Sequence, residues 1–140
     1  MRGRTSGSAD QDRWSRKDWW GVVLDSPDPH ALAAFYSALL GWPVWVPDDG
    51  RPEDPVGAAL DLGEGVGYLS FQRNDAYVRP TWPAAAGQQQ MMLHLDFEVE
   101  DLPAAVEHAL ELGAVLPDHQ PQDDVRVLLD PDGHPFCLYT

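Results

Sequence analysis

His94 and Cys137 are the residues in this chain whose types could do chemistry. His94 stands at the head of an alternation in which Leu93, Leu95, Phe97 and Val99 interleave with His94, Asp96, Glu98 and Glu100. A period of two puts the polar set on one face of a strand. An imidazole on such a face has three uses: metal ligand, general base, or hydrogen-bond partner for a bound molecule. It also has a bland reading, as a histidine satisfied within a half-buried sheet. Cys137 is the single cysteine. Free cysteine is among the most buried residue types, so a small apolar packing role competes with a thiol that acts. A nucleophilic thiol needs a base and a lowered pKa, and His94 supplies that base where the two strands lie side by side.

The other histidines, His30, His108, His119 and His134, read as surface or turn residues, and Asp130 and Asp132 as turn formers. Trp20, Trp42, Trp45, Trp82, Tyr68, Phe71, Phe136 and Tyr139 make an aromatic-rich set, mostly core, with some able to stack on a flat ligand in a cleft. There is no phosphate-binding glycine loop, paired CxxC or HExxH.

The elements that must position these residues are written twice. A strand over 19–25 leads to the turn Ser26-Pro27-Asp28-Pro29. Asp28 suits the capping position of a helix and Pro29 its first turn. Leu32, Phe35, Tyr36, Leu39 and Leu40 form one apolar stripe, and Gly41 ends it. A short strand over 43–46, a breaker-rich loop over 47–55, and a hairpin of 57–62 with 66–72 around Gly63-Glu64-Gly65 complete the first half. In the second half a strand over 91–99 precedes Asp101, which caps a helix whose apolar positions are Leu102, Ala105, Val106, Ala109 and Leu110, with Gly113 at its end. A short strand at Val115-Leu116, a strand through Val125, Val127 and Leu129, the turn Asp130-Pro131-Asp132-Gly133 and a final strand over 135–140 follow. Cap to glycine is 13 residues in the first half and 12 in the second, and the two caps are 73 apart. This predicts an α+β fold: two tandem β-α-β-β-β modules, about 18–73 and 91–140, joined by a linker over 74–90. Their curved mixed sheets would pair to form a cleft. Residues 1–17 read as a disordered tail ahead of one domain over 18–140.

The formal charge is -14, and five of the nine Lys and Arg residues lie in the first 17 positions. From residue 18 onward 4 basic residues face 21 acidic ones, giving -17. Such a surface repels phosphate backbones and anionic membranes, so nucleic acid and membrane partners are not expected. A neutral or cationic organic ligand is compatible with it. No apolar run is long enough to span a bilayer, and no secretory signal is recognisable at the N-terminus. One cysteine fits a reducing compartment, and the expected location is the cytoplasm.

The helix start DPHALAAFYSALLGW, the strand-helix HLDFEVEDLPAAVEHALELGA and the ending LLDPDGHPFCLY resemble the vicinal oxygen chelate superfamily of glyoxalase, bleomycin-resistance and extradiol dioxygenase proteins. The likeness covers about residues 19–140 and is nearest to the small glyoxalase-like branch. It implies a metal site with one ligand from each of four strands, which fall here at Gly21, Ser70 (with Gln72 one pleat away), His94 and Cys137. Of these only His94 and Cys137 are metal donors, so the resemblance implies a degenerate site, most simply with no cofactor. The implied function is binding of a small organic molecule, sequestered or sensed, by Ser70, Gln72, His94, Cys137, Trp42 and Phe71. The alternative it implies is a metal-dependent lyase, isomerase or dioxygenase using Zn, Ni, Fe or Mn, with His94 catalytic. A stand-alone interaction subunit is a third reading. A homodimer is implied as well.

Overall fold

Strand β1 (Trp20–Ser26) runs into helix α1 (Pro29–Leu40) through the Asp28 cap, whose carboxylate accepts the Ala31 amide at 3.1 Å. Gly41 closes α1 in the left-handed region at φ 69°, where a side chain would be strained. The computed structural model describes residues 20–46, 54–63 and 67–140. The expected N-terminal tail, most of the 47–55 loop and the tip of the 57–72 hairpin lie outside them. Strands β2 (Gly57–Leu60) and β3 (Gly67–Arg73) pair antiparallel, and β1 pairs parallel to β3, giving the order β1-β3-β2.

The second half repeats the plan. Strand β4 (Leu95–Glu98) leads to α2 (Leu102–Glu111), capped by Asp101 through the Ala104 amide at 3.0 Å. Strands β5 (Val125–Leu129) and β6 (Pro135–Tyr139) pair antiparallel, and β4 pairs parallel to β6 in the order β4-β6-β5. The duplicated α+β architecture is as the sequence predicts.

Three strand expectations need correction. The 43–46 stretch contributes only an isolated bridge, Val44 to Leu60, because Pro43 and Pro47 carry no amide hydrogen. Val115-Leu116 likewise gives a single bridge, Val115 to Leu129, before Pro117 stops it. Strand β4 begins at Leu95 and not at Met91. Its register pairs Leu95 with Phe136, so His94 falls opposite Pro135, which cannot donate to the ladder. His94 therefore sits just ahead of β4, two residues from Asp96.

The core joins both halves. The Tyr36 ring stacks on Phe71 of the first sheet at 5.6 Å and meets Phe97 and Phe136 of the second at 6.4 and 6.1 Å. Beside it runs a polar clasp. Tyr36 Oη donates to the fully buried Asp130 Oδ2 at 3.0 Å, and His134 Nδ1 meets the same oxygen at 2.8 Å. His134 Nε2 lies 3.1 Å from Tyr77 Oη, and Ser26 Oγ donates to Asp132 at 2.6 Å. The β5–β6 turn is thus tied to α1, β1 and the segment between the halves. Burial, then the Asp130 carboxylate, pushes the Tyr36 phenol upward, so it stays a donor. The turn reading of Asp130 holds, since the Gly133 amide bonds its carbonyl at 2.9 Å. The surface reading of His134 does not: it is half-buried and doubly bonded.

Candidate functional site

The register of the second sheet builds the site. Asp96, Cys137 and Val127 lie in one row across β4, β6 and β5, and Glu98, Tyr139 and Val125 form the next. Alternation turns Leu95, Phe97, Phe136 and Leu138 to the core, and the other set to the opposite face. His94 joins that face. Its Nε2 lies 3.3 Å from Asp96 Oδ1, and ligand atoms of His94, Asp96 and Cys137 all fall within 4.8 Å of one another. Burial first, then the hydrogen bond and charge of Asp96, pushes the Cys137 thiol up to about 11. It is a protonated thiol at neutral pH, not an activated nucleophile.

Above this floor is a cleft of about 380 Å³. Trp82 and Met91 from the connection between the halves, and Pro121 from the loop before β5, wall it with Val125, Val127 and Tyr139. The Trp82 ring lies 6.0 Å from that of His119. Its buried indole N–H has no hydrogen-bond partner among the described residues. The result is an apolar box with polar groups at its base, the usual make-up of a small-molecule site.

The structure brings His94 and Cys137 together and adds Asp96 and Trp82. Asp96 was legible as a polar-face residue two positions after His94. Trp82 carried no signal beyond its type. The structure does not bring the remaining candidates here. Phe71 alternates to the core and is 1% exposed. Ser70, on the opposite face of β3, pairs with Val23 and Ala59. Gln72 Nε2 donates to Asp25 at 2.6 Å. Trp42 meets the Phe97 ring at 6.4 Å and lines a groove with Leu39 and Leu40. Gly21 lies beneath the Tyr68 ring, and a Cβ there would fall 2.5 Å from its carbons.

A glyoxalase-like domain model matches residues 21–139. The chain belongs to the glyoxalase-like family. No curated protein matches it closely in sequence. A glyoxalase family protein from Enterococcus faecalis is 27% identical over 89% of this chain and 98% of its own, with a TM-score of 0.57. A glyoxalase/bleomycin resistance protein/dioxygenase family enzyme from Burkholderia phytofirmans PsJN is 23% identical over 84% and 94%, with a TM-score of 0.61. The fosfomycin resistance protein FosX from Mesorhizobium loti is 12% identical over 89% and 92%, with a TM-score of 0.63. The last two likenesses speak to fold alone. No helix among the described residues is long and apolar enough to cross a membrane.

A four-strand metal centre, as the glyoxalase-like resemblance implies, does not fit these residues. Its first position is Gly21, packed under Tyr68, and its second is Ser70. What the residues do fit is a three-donor set confined to the second sheet: imidazole, carboxylate and thiol.

Proposed function

We propose that this glyoxalase-like protein binds a small organic molecule, apolar or cationic, in the cleft over the second sheet, and sequesters or senses it. One observation carries the reading: a largely apolar cleft above a base of His94, Asp96 and Cys137. Trp82 and Tyr139 line the cleft and supply aromatic surface for stacking on a flat ligand. A fragment library titrated against the full chain, followed by the ring signals of His94, tests it. Binding fragments should shift those signals and weaken at least tenfold in Trp82→Ala. A library with no fragment that perturbs His94 would sink the reading.

A second reading has its own observation. Asp96 supplies a third donor beside His94 and Cys137, so a divalent ion of the zinc type could be held by these three, serving a lyase, isomerase or dioxygenase. Such an ion would polarise a substrate oxygen, with His94 positioned at the reacting centre. The thiol would lose its proton on ligating, so binding of the ion would release a proton and strengthen with pH. Elemental analysis of protein purified without chelator or metal resin decides. About one ion per chain, lost in His94→Ala and in Asp96→Asn, is the enzyme result, and metal content indifferent to both substitutions removes it.

A homodimer is part of the proposal, resting on the resemblance and on the exposed apolar Trp20 and Val23 of the first sheet. Light scattering at the mass of a single chain would remove it. A single free cysteine fits a reducing compartment, and the cytoplasm is proposed.

A further inference from the structure

A second cleft, of about 280 Å³, lies between β1 and the stretch that precedes β4. Its polar groups are Asp25, Asn74, Tyr77 and His134, with Gln89 and Gln90 of the connecting segment. Met91 and Pro135 line both this cleft and the one over the second sheet. Pro135 is buried and fixed at the start of β6. Met91 is half-buried on the connecting segment, and its unbranched side chain changes rotamer cheaply. Among the described residues neither cleft is lined by a lysine or an arginine, whereas Asp96 stands in one and Asp25 in the other. Asp25 is held in place by Gln72 at 2.6 Å and Asn74 at 2.8 Å. In a chain of net charge -14, such a pair of clefts repels anions and favours a cation.

We propose that the two clefts are one bipartite site for an elongated organic cation, with Met91 as the divider that sets ligand length. The cationic head meets Asp96, the apolar body crosses Met91 and Pro135, and the far end reaches the Tyr77, His134 and Asp25 group. This rests on the small-molecule reading above and adds the ligand's shape and charge.

The test uses primary alkylamines from hexylamine to dodecylamine on the full chain, with the ring signals of His94 and His134 followed by NMR. Hexylamine should shift His94 alone, and dodecylamine both. Affinity should rise about fourfold for each added methylene that is buried. Met91→Ala should let a shorter amine reach His134, and Leu110→Ala, on α2 and in neither cleft, should not. The matching alkanols should bind at least tenfold more weakly. His134 silent at every chain length while His94 responds, equal response of both to hexylamine, or alkanols as tight as amines would overturn the bipartite cation site. Silence at His94 with every amine and alkanol would instead overturn the reading of the first cleft.

Discussion

Val23 pairs with Ser70 in the first sheet, and in the second the same register pairs Asp96 with Cys137. Each row ends on an apolar residue of the third strand, Ala59 in one and Val127 in the other. Two residues earlier on the same face stand Gly21 and His94. The backbone plan is thus repeated while the chemistry is not. Both copies are needed to bury a core, but one polar floor is enough to hold a ligand. In the first half the positions matching His94, Asp96 and Cys137 carry no imidazole, carboxylate or thiol, and Tyr68 is laid over Gly21. The helices differ in the same way. Helix α1 buries Leu32, Ala33, Phe35 and Tyr36 and touches both sheets, whereas α2 buries only Ala109 and packs on β5 and β6.

The largest expected effect tests whether the halves are separable. Phe136 is fully buried in the second sheet, yet it packs on Phe35 and Tyr36 of the first half. Phe136→Ala should cost about 3–5 kcal/mol of stability. Because the core is shared, unfolding should remain one transition whether followed by fluorescence or by circular dichroism. Leu110→Ala, on the outer side of α2 and 42% exposed, should stay within about 0.5 kcal/mol. Two separate transitions in Phe136→Ala would show two independent halves and break the comparison as drawn.

A smaller effect is expected at the matched pair Gly21 and His94. Gly21→Ala forces its Cβ against three carbons of the Tyr68 ring, and overpacking of this kind costs about 1–3 kcal/mol. Adding Tyr68→Ala should recover the part due to that clash. At the equivalent place in the second half, His94 has a side chain 42% exposed, so His94→Ala should change stability by no more than about 0.5 kcal/mol. Urea titrations of the four proteins measure both. Equal costs at the two positions would mean that Gly21 is not held by Tyr68 packing.

Much of this was legible in residue patterns. The Asp-Pro helix starts, the apolar stripe of α1 and the turn at Asp130–Gly133 follow from local chemistry, so both helices, the hairpins and the duplication could be read. His94 and Cys137 could be placed on one face because alternation survives in any sheet. The partners of that face were less accessible. Trp82 reaches the cleft through the path of a long connection, and no local rule fixes that path. Ser70 and Gln72 were expected in the cleft from the family resemblance, which puts a ligand late in the first half. Phe35 and Tyr36 of α1 meet both sheets on the core side, and Ser70 lies on the other face of β3. The bond from Tyr36 to the buried Asp130, 94 residues apart, lies beyond any local pattern.

The smallest effect sharpens the contrast between the Ser70 row and the Cys137 row. Burial and Asp96 raise the Cys137 thiol from 9.0 to about 11. Iodoacetamide alkylation of the native chain should therefore gain about tenfold for each pH unit until about 11, and only then level off. Asp96→Asn removes the second cause and should bring the plateau to lower pH, while the part due to burial stays. The sign for stability follows from which state holds the proton. The unfolded thiol ionises near 9 and the folded one near 11, so between these values the folded state binds more protons. The contribution is complete below about 9 and is lost as pH rises through about 11. Tyrosines and lysines titrate in the same window, so the readout is the difference between the parent and Cys137→Ser, which gives the second row the hydroxyl of the first. The parent should lose more stability than Cys137→Ser from pH 9 to 11. An alkylation midpoint near 9 would place the thiol in open solvent away from Asp96, and with it the polar base of the cleft would lose one of its three members.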